Sequence, residues 1–186
     1  NVISKMRHSN VRTRPAYSFQ VIGDALSCPD PVESLQIFIA EKGMLQSPHE
    51  VQLSRLTWEA KNLFLVHQLL REVLGGGFST FFTNTAGVYS CETLVALREL
   101  KADVTAELLA DLLDQFPSSQ PPKDRLSRYA LVESLGREFE NRCARADDIF
   151  YEQVDTHREQ SSRAESLWKL SLSYIQEHVA SSILTD

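Results

Sequence analysis

The stretch REVLGGGFSTFFTN, residues 71–84, sets a carboxylate, Glu72, just ahead of three consecutive glycines, Gly75, Gly76 and Gly77. Backbone without side chains can aim its N–H groups at an anion. A phosphate loop, however, needs Gly-x-x-x-x-Gly-Lys-Ser/Thr between a strand and a helix, and a dinucleotide loop needs Gly-x-Gly-x-x-Gly. Neither spacing is present, and no lysine follows the glycines. The structural alternative puts Gly75 in the left-handed conformation that ends a helix, with Gly76 and Gly77 letting the chain reverse. A small anion site on the turn's amides is the rival reading. Glu72 divides in the same way: it either orients a ligand or fixes the turn through a hydrogen bond or ion pair.

The other reactive side chains are scattered. None of His8, His49, His67, His157 and His178 has a glutamate three residues before it, as a bundle di-iron site requires, and His-Glu-x-x-His is absent. His67 falls among apolar residues at helical spacing, which suits a hydrogen-bonded core histidine. No serine stands in a Gly-x-Ser-x-Gly elbow. Cys28, Cys91 and Cys143 form no Cys-x-x-Cys pair and no metal-ligand spacing. The expectation is no catalytic centre, no metal and no cofactor.

Carboxylates give the stronger pattern. Asp103, Glu107, Asp111 and Asp114 fall on one side of a helix, and Asp148, Glu152, Asp155 and Glu159 repeat the spacing. At 1.5 Å rise per residue, successive carboxylates stand about 6 Å apart along the axis, close to the separation of neighbouring phosphates on a nucleic-acid strand. Like charges at i, i+4 cost a helix about 0.2–0.5 kcal/mol per pair. The rows are either solvated faces or docking surfaces for a basic partner.

Helices must carry these groups. Val32, Leu35 and Ile39, between CPDP and Gly43, predict a short helix. Ser47-Pro48 then opens a long one over about 49–74, with Leu56, Ala60, Leu63, His67, Leu70 and Leu74 on one stripe and Trp58, Leu65 and Leu69 off it. A helix apolar on more than one side is central. Beyond the glycines, Phe78, Phe81 and Phe82 suggest a short helix capped by Ser79 or entered directly, and closed by Asn84 and Gly87. Ser90 and Asp103 are read as caps of the next two helices. After the linker PSSQPPKD come helices over about 123–142, with Leu126, Tyr129, Ala130, Val132 and Leu135 inward, over 147–159, and over 163–180. Gly136 interrupts the first of these three. The last turns Leu167, Leu170, Tyr174 and Ile175 inward. No alternating strand pattern of useful length appears. The fold class is all-α, one compact domain of seven or eight helices around a central hydrophobic helix.

Composition agrees. The 186 residues are 42% hydrophobic and 24% charged, ordinary for a folded globular chain. Residues 1–23 hold Lys5, Arg7, Arg12 and Arg14 and no carboxylate, a basic arm ahead of a domain over 24–186 that carries all 25 Asp and Glu. An acidic body argues against direct nucleic-acid binding, which rests on Lys and Arg against phosphate. The region after the arm is short and contains Asp24, so a cleavable signal is not expected. No apolar run reaches the roughly 20 residues that cross a bilayer, and three scattered cysteines suit a reducing compartment. A cytoplasmic location is expected.

EVLGGGFSTFFTNTAG (72–87), ETLVALRELKADVTAELLADLLDQFP (92–117) and ADDIFYEQ (146–153) together resemble the bacterial DNA-mimic protein family. Glu72, Val73, Gly76, Gly77, Phe78, Phe81, Phe82 and Asn84 match that family's turn pattern; Gly75 and Thr80 stand where Asn and Gln are usual. The likeness covers about residues 30–180. It implies an all-α fold and a non-enzymatic, protein-binding role, in which an acidic helix face blocks the basic surface of a DNA-binding protein, nuclease or toxin. An immunity protein that neutralises a cognate toxin is the alternative, and a small enzyme or ligand binder around Glu72, His67 and the glycine turn is a third. The expected state is a monomer or homodimer.

Overall fold

The computed structural model describes residue 53, residues 56–155 and residues 165–183. The arm over 1–23, its boundary at 24 and the short helix before Gly43 lie outside the described residues. Five α-helices run through the described chain: α1 (Trp58–Thr83), α2 (Ser90–Glu99), α3 (Asp103–Leu113), α4 (Arg125–Gln153) and α5 (Leu167–Ile183). One-turn 3₁₀ segments cover Thr85–Tyr89 and Pro117–Ser119. Val154–Asp155 (β1) and Glu165–Ser166 (β2) pair in parallel over two residues, too short to leave a pattern in the sequence. The architecture is all-α.

Helix α1 is the centre. Every residue from Asn62 to Leu70 is buried, so α1 is apolar all round because α2, α4 and α5 surround it. Thr57 caps it by accepting from the Ala60 N–H at 3.3 Å, nine residues later than a start near 49. Trp58 and Leu74, at the two ends of the first segment, are 52% and 42% exposed.

As expected, the glycines interrupt the central helix, although Gly75 is not the left-handed residue. Gly75 keeps helical backbone; the break falls at Gly76 (φ 179°, ψ 20°) and Gly77 (φ 78°, ψ 179°), and the helix resumes to Thr83. Only Gly77 occupies a conformation that L side chains avoid. The segment after it buries Phe78, Phe81 and Phe82 completely. Phe78 meets Phe150 edge-on, and Phe82 packs on Phe116 and Phe139. The predicted phenylalanine cluster is therefore core.

Helix α4 corrects two further expectations. The break falls at Gly136 (φ 65°, ψ −157°), where the pattern is interrupted, and not between the predicted helices over 123–142 and 147–159; two helical segments of α4 meet there, and the second stops at Gln153. Asp124 caps it through the Ser127 N–H at 2.8 Å. Its first turns expose Leu126 (80%), Tyr129 (49%) and Ala130, and face Arg128, Val132 and Phe139 inward. Three residues assigned to the core are thus on the surface, and an arginine takes their place. In α5, Leu167, Tyr174 and Ile175 are buried as expected, with Leu170 partly so.

Candidate functional site

The glycine break is held from α4. Asp147 Oδ1 accepts the Phe78 N–H at 2.8 Å, capping the segment that restarts after Gly77. One turn later, the Tyr151 hydroxyl donates to the Val73 carbonyl at 2.9 Å, on the segment before the break. A Cβ built on Gly77 would lie 2.3 Å from Asp147 Oδ2, so the carboxylate rests directly over the glycine. Asp147 is half-buried, and desolvation raises its pKa, opposed by the Phe78 N–H. The restarted helix thus has its first amide already taken by a carboxyl oxygen of the protein. Ser79 is not the cap.

Glu72, buried, bridges the two sides of the break. Its Oε2 accepts from Asn84 Nδ2 at 2.7 Å, and its Oε1 pairs with Arg71. The Asn84 carbonyl in turn accepts from Arg128 Nη2 at 2.8 Å. Arg128 has no exposed surface; Nε donates to the Phe82 carbonyl at 2.7 Å and Nη1 to the Pro122 carbonyl at 2.8 Å. Carbonyls at a helix C-terminus carry the negative end of the helix dipole, which suits a buried cation. Gly87 closes this corner, because a Cβ there would lie 2.6 Å from the Phe82 carbonyl oxygen and 2.7 Å from that of Phe81. Glu72, Gly75, Gly76, Gly77, Phe78, Phe81, Phe82 and Asn84 therefore come together, as a structural joint.

His67 lies elsewhere, in the core against Trp168, with ring centroids 4.5 Å apart. The Ser171 hydroxyl donates its single proton to the Leu167 carbonyl at 2.7 Å, so it accepts from His67 Nε2 at 3.1 Å. That fixes the Nε2–H tautomer. Burial lowers the His67 pKa to about 3, and the ring is neutral at physiological pH. Cys143 is buried, and its pKa is pushed up to about 12, first by desolvation and then by Asp147 and Glu140; a thiol in that state is inert. Among the described residues, no group of three or more His, Cys, Asp or Glu could hold a metal ion. No helix there is long and apolar enough to cross a membrane.

The acidic row on α3 is exposed at all four positions, Asp103, Glu107, Asp111 and Asp114. Asp103 is the first residue of the helix, not its cap; Glu165 does the capping from β2, accepting the Val104 N–H at 2.9 Å and the Thr105 N–H at 3.2 Å. Likewise Ser90 opens α2 with Tyr89 at the cap position. On α4, Asp148 and Glu152 are exposed. The Asp155 side chain and Glu159 lie outside the described residues. None of these six described carboxylates makes an ion pair among the described residues.

Sequence reasoning missed Arg128, Asp147, Tyr151 and Glu165. Asp147 and Tyr151 stand at i, i+4 in the quoted ADDIFYEQ, a spacing that puts both on one helix face. Arg128 and Glu165 left no local signal, because their partners are distant in sequence.

A helical scaffold clamped round a broken central helix, with an exposed acidic row on α3, defines an all-α class of fold. The family model for DMP19-like proteins matches residues 54–178, and the chain belongs to that family. Neither the curated proteins nor the solved structures include a match to it.

Proposed function

We propose that the protein is a non-enzymatic, cytoplasmic protein-binding module, monomeric or dimeric, whose acidic α3 face docks on a basic surface of its partner, as a DNA mimic does. The observation that carries this reading is the α3 row itself: four exposed carboxylates on one helix face with no ion-pair partner among the described residues. Like charges so spaced weaken the helix, and a basic partner would relieve them. Membership of the DMP19-like family supports the reading. So do the hydrogen-bonded state of Glu72 and the burial of His67 in the core against Trp168. Complementary charge speeds association and makes it fall with salt.

An immunity protein acting through an apolar surface is the second reading, favoured by the exposure of Leu126 and Tyr129 on α4. Capture from a lysate at low salt separates the two. A partner retained by the wild type and lost both at high salt and from Glu107→Gln/Asp111→Asn supports the acidic face. A partner indifferent to salt and lost from Leu126→Ser/Tyr129→Ser supports the apolar one.

A further inference from the structure

Helix α3 is a ridge between two grooves. At 100° per residue its four carboxylates fall within an arc of about 80°, opposite the buried Thr105, Ala106, Leu109, Leu112 and Leu113. On one flank lies a groove of about 340 Å³, where Arg98 of α2 stands across from Leu113 and Asp114. On the other lies a groove of about 190 Å³ with Leu108, Leu112, Ala146 and Ile149 along it, where Arg142 and Arg145 of α4 stand across from Asp111. Beyond these arginines, the same helical geometry places Asp148 and Glu152 further round α4. Across this face the charge therefore alternates: arginine, acidic ridge, two arginines, second acidic row.

The arginines are not consumed within the fold. Arg98 and Arg145 are exposed and make no hydrogen bond or ion pair among the described residues. Among the described residues, Arg142 pairs with Glu138 of its own helix, at 3.1 Å. A nucleic-acid strand carries one sign of charge throughout, and a channel shaped to hold one is basic on its floor and walls. Such a channel, lowered over α3, would set its walls against Arg98 and Arg145, and like charges juxtaposed at an interface suppress binding.

Resting on the acidic-face reading above, we infer that the α3 ridge fits a protein partner whose basic strip runs between carboxylate-bearing walls, and that Arg98 and Arg145 select it against uniformly basic channels. Apolar side chains beside those walls would enter the groove at Ile149, which is 37% exposed.

Two synthetic helical peptides with equal numbers of lysines test this. One carries its lysine row on a neutral background; the other flanks the same row with glutamates. Bulk attraction to a chain of net charge −6 favours the first. The wild type should nonetheless bind the flanked peptide about tenfold more tightly near physiological salt, and Arg98→Glu/Arg145→Glu should reverse that order. Thermal melting checks that the variant folds, and Arg98→Gln/Arg145→Gln, which should abolish the preference, serves if it does not. Tighter binding of the lysine-only peptide to the wild type, or a preference untouched by the arginine variants, overturns the inference and leaves the acidic face standing. Binding of neither peptide overturns both.

Discussion

Arg128 is wholly buried and, among the described residues, donates to the carbonyl oxygens of Phe82, Asn84, Pro122 and Lys123. Replacing it with methionine keeps most of the volume but strips the Phe82 and Pro122 carbonyls of this donor, while the Asn84 carbonyl keeps the Gly87 N–H at 3.2 Å. Each unsatisfied buried acceptor costs about 1–3 kcal/mol, so Arg128→Met should lower the unfolding free energy by about 3 kcal/mol or more. Lysine, a point charge, cannot restore the forked geometry, and urea unfolding of both variants measures the difference. His67 gives a prediction of opposite character. Its folded pKa of about 3 lies below the ordinary 6.5, so between those values the unfolded chain binds a proton that the folded chain refuses. The His67 contribution to stability is therefore full above 6.5 and falls by about 1.4 kcal/mol per pH unit as pH drops through the window. The stability difference between wild type and His67→Gln should shrink on acidification from about pH 6.5 to pH 4.5. A difference constant across that range would refute the assignment.

At the scale of elements, two helix starts are capped in trans by carboxylates far away in sequence, Asp147 on the restarted half of α1 and Glu165 on α3. Both have raised pKa values, with desolvation the largest cause. Burial thus opposes the charged form of Asp147, while the Phe78 N–H favours it. Asp147→Asn, which keeps an acceptor and removes the charge, should leave stability nearly unchanged or raise it. Asp147→Ala should cost about 1 kcal/mol, and Gly77→Ala should cost more, since it adds a Cβ at φ 78° against the carboxylate. Thermal denaturation of the three variants checks the order. These contacts also mark where the sequence was legible. Apolar spacing revealed the central helix, the phenylalanine cluster and an all-α fold, because periodicity is a local property. It placed the helix end and the reversal within the three glycines but gave the left-handed conformation to Gly75 instead of Gly77, since Asp147, which rests over Gly77, comes 69 residues after Phe78. It also turned Leu126 and Tyr129 inward, because the spacing of apolar residues does not announce that a buried arginine will claim the inner face.

For the whole molecule, the acidic ridge opposes stability to binding. The four carboxylates of α3 remain exposed and without ion pairs among the described residues, and Arg98, Arg142 and Arg145 across the flanking grooves partly offset their mutual repulsion without pairing directly. Asp103, in the first turn, is favoured by the helix dipole, whereas Glu107 sits mid-helix without such compensation and Asp111 lies in the last turn, at the dipole's negative end. Glu107→Gln/Asp111→Asn removes the like-charge contacts along the row, each worth about 0.2–0.5 kcal/mol. The doubly neutral protein should therefore unfold at slightly higher urea than the wild type. If the ridge is the docking face, the same two changes should weaken attachment to a lysine-rich peptide and flatten its salt dependence, because steering and complementarity both scale with the charge removed. Measured together at low and physiological salt, stability should rise while affinity falls. A fall in both would mean that these carboxylates serve the fold, and a rise in stability with affinity unmoved would place the binding surface away from α3.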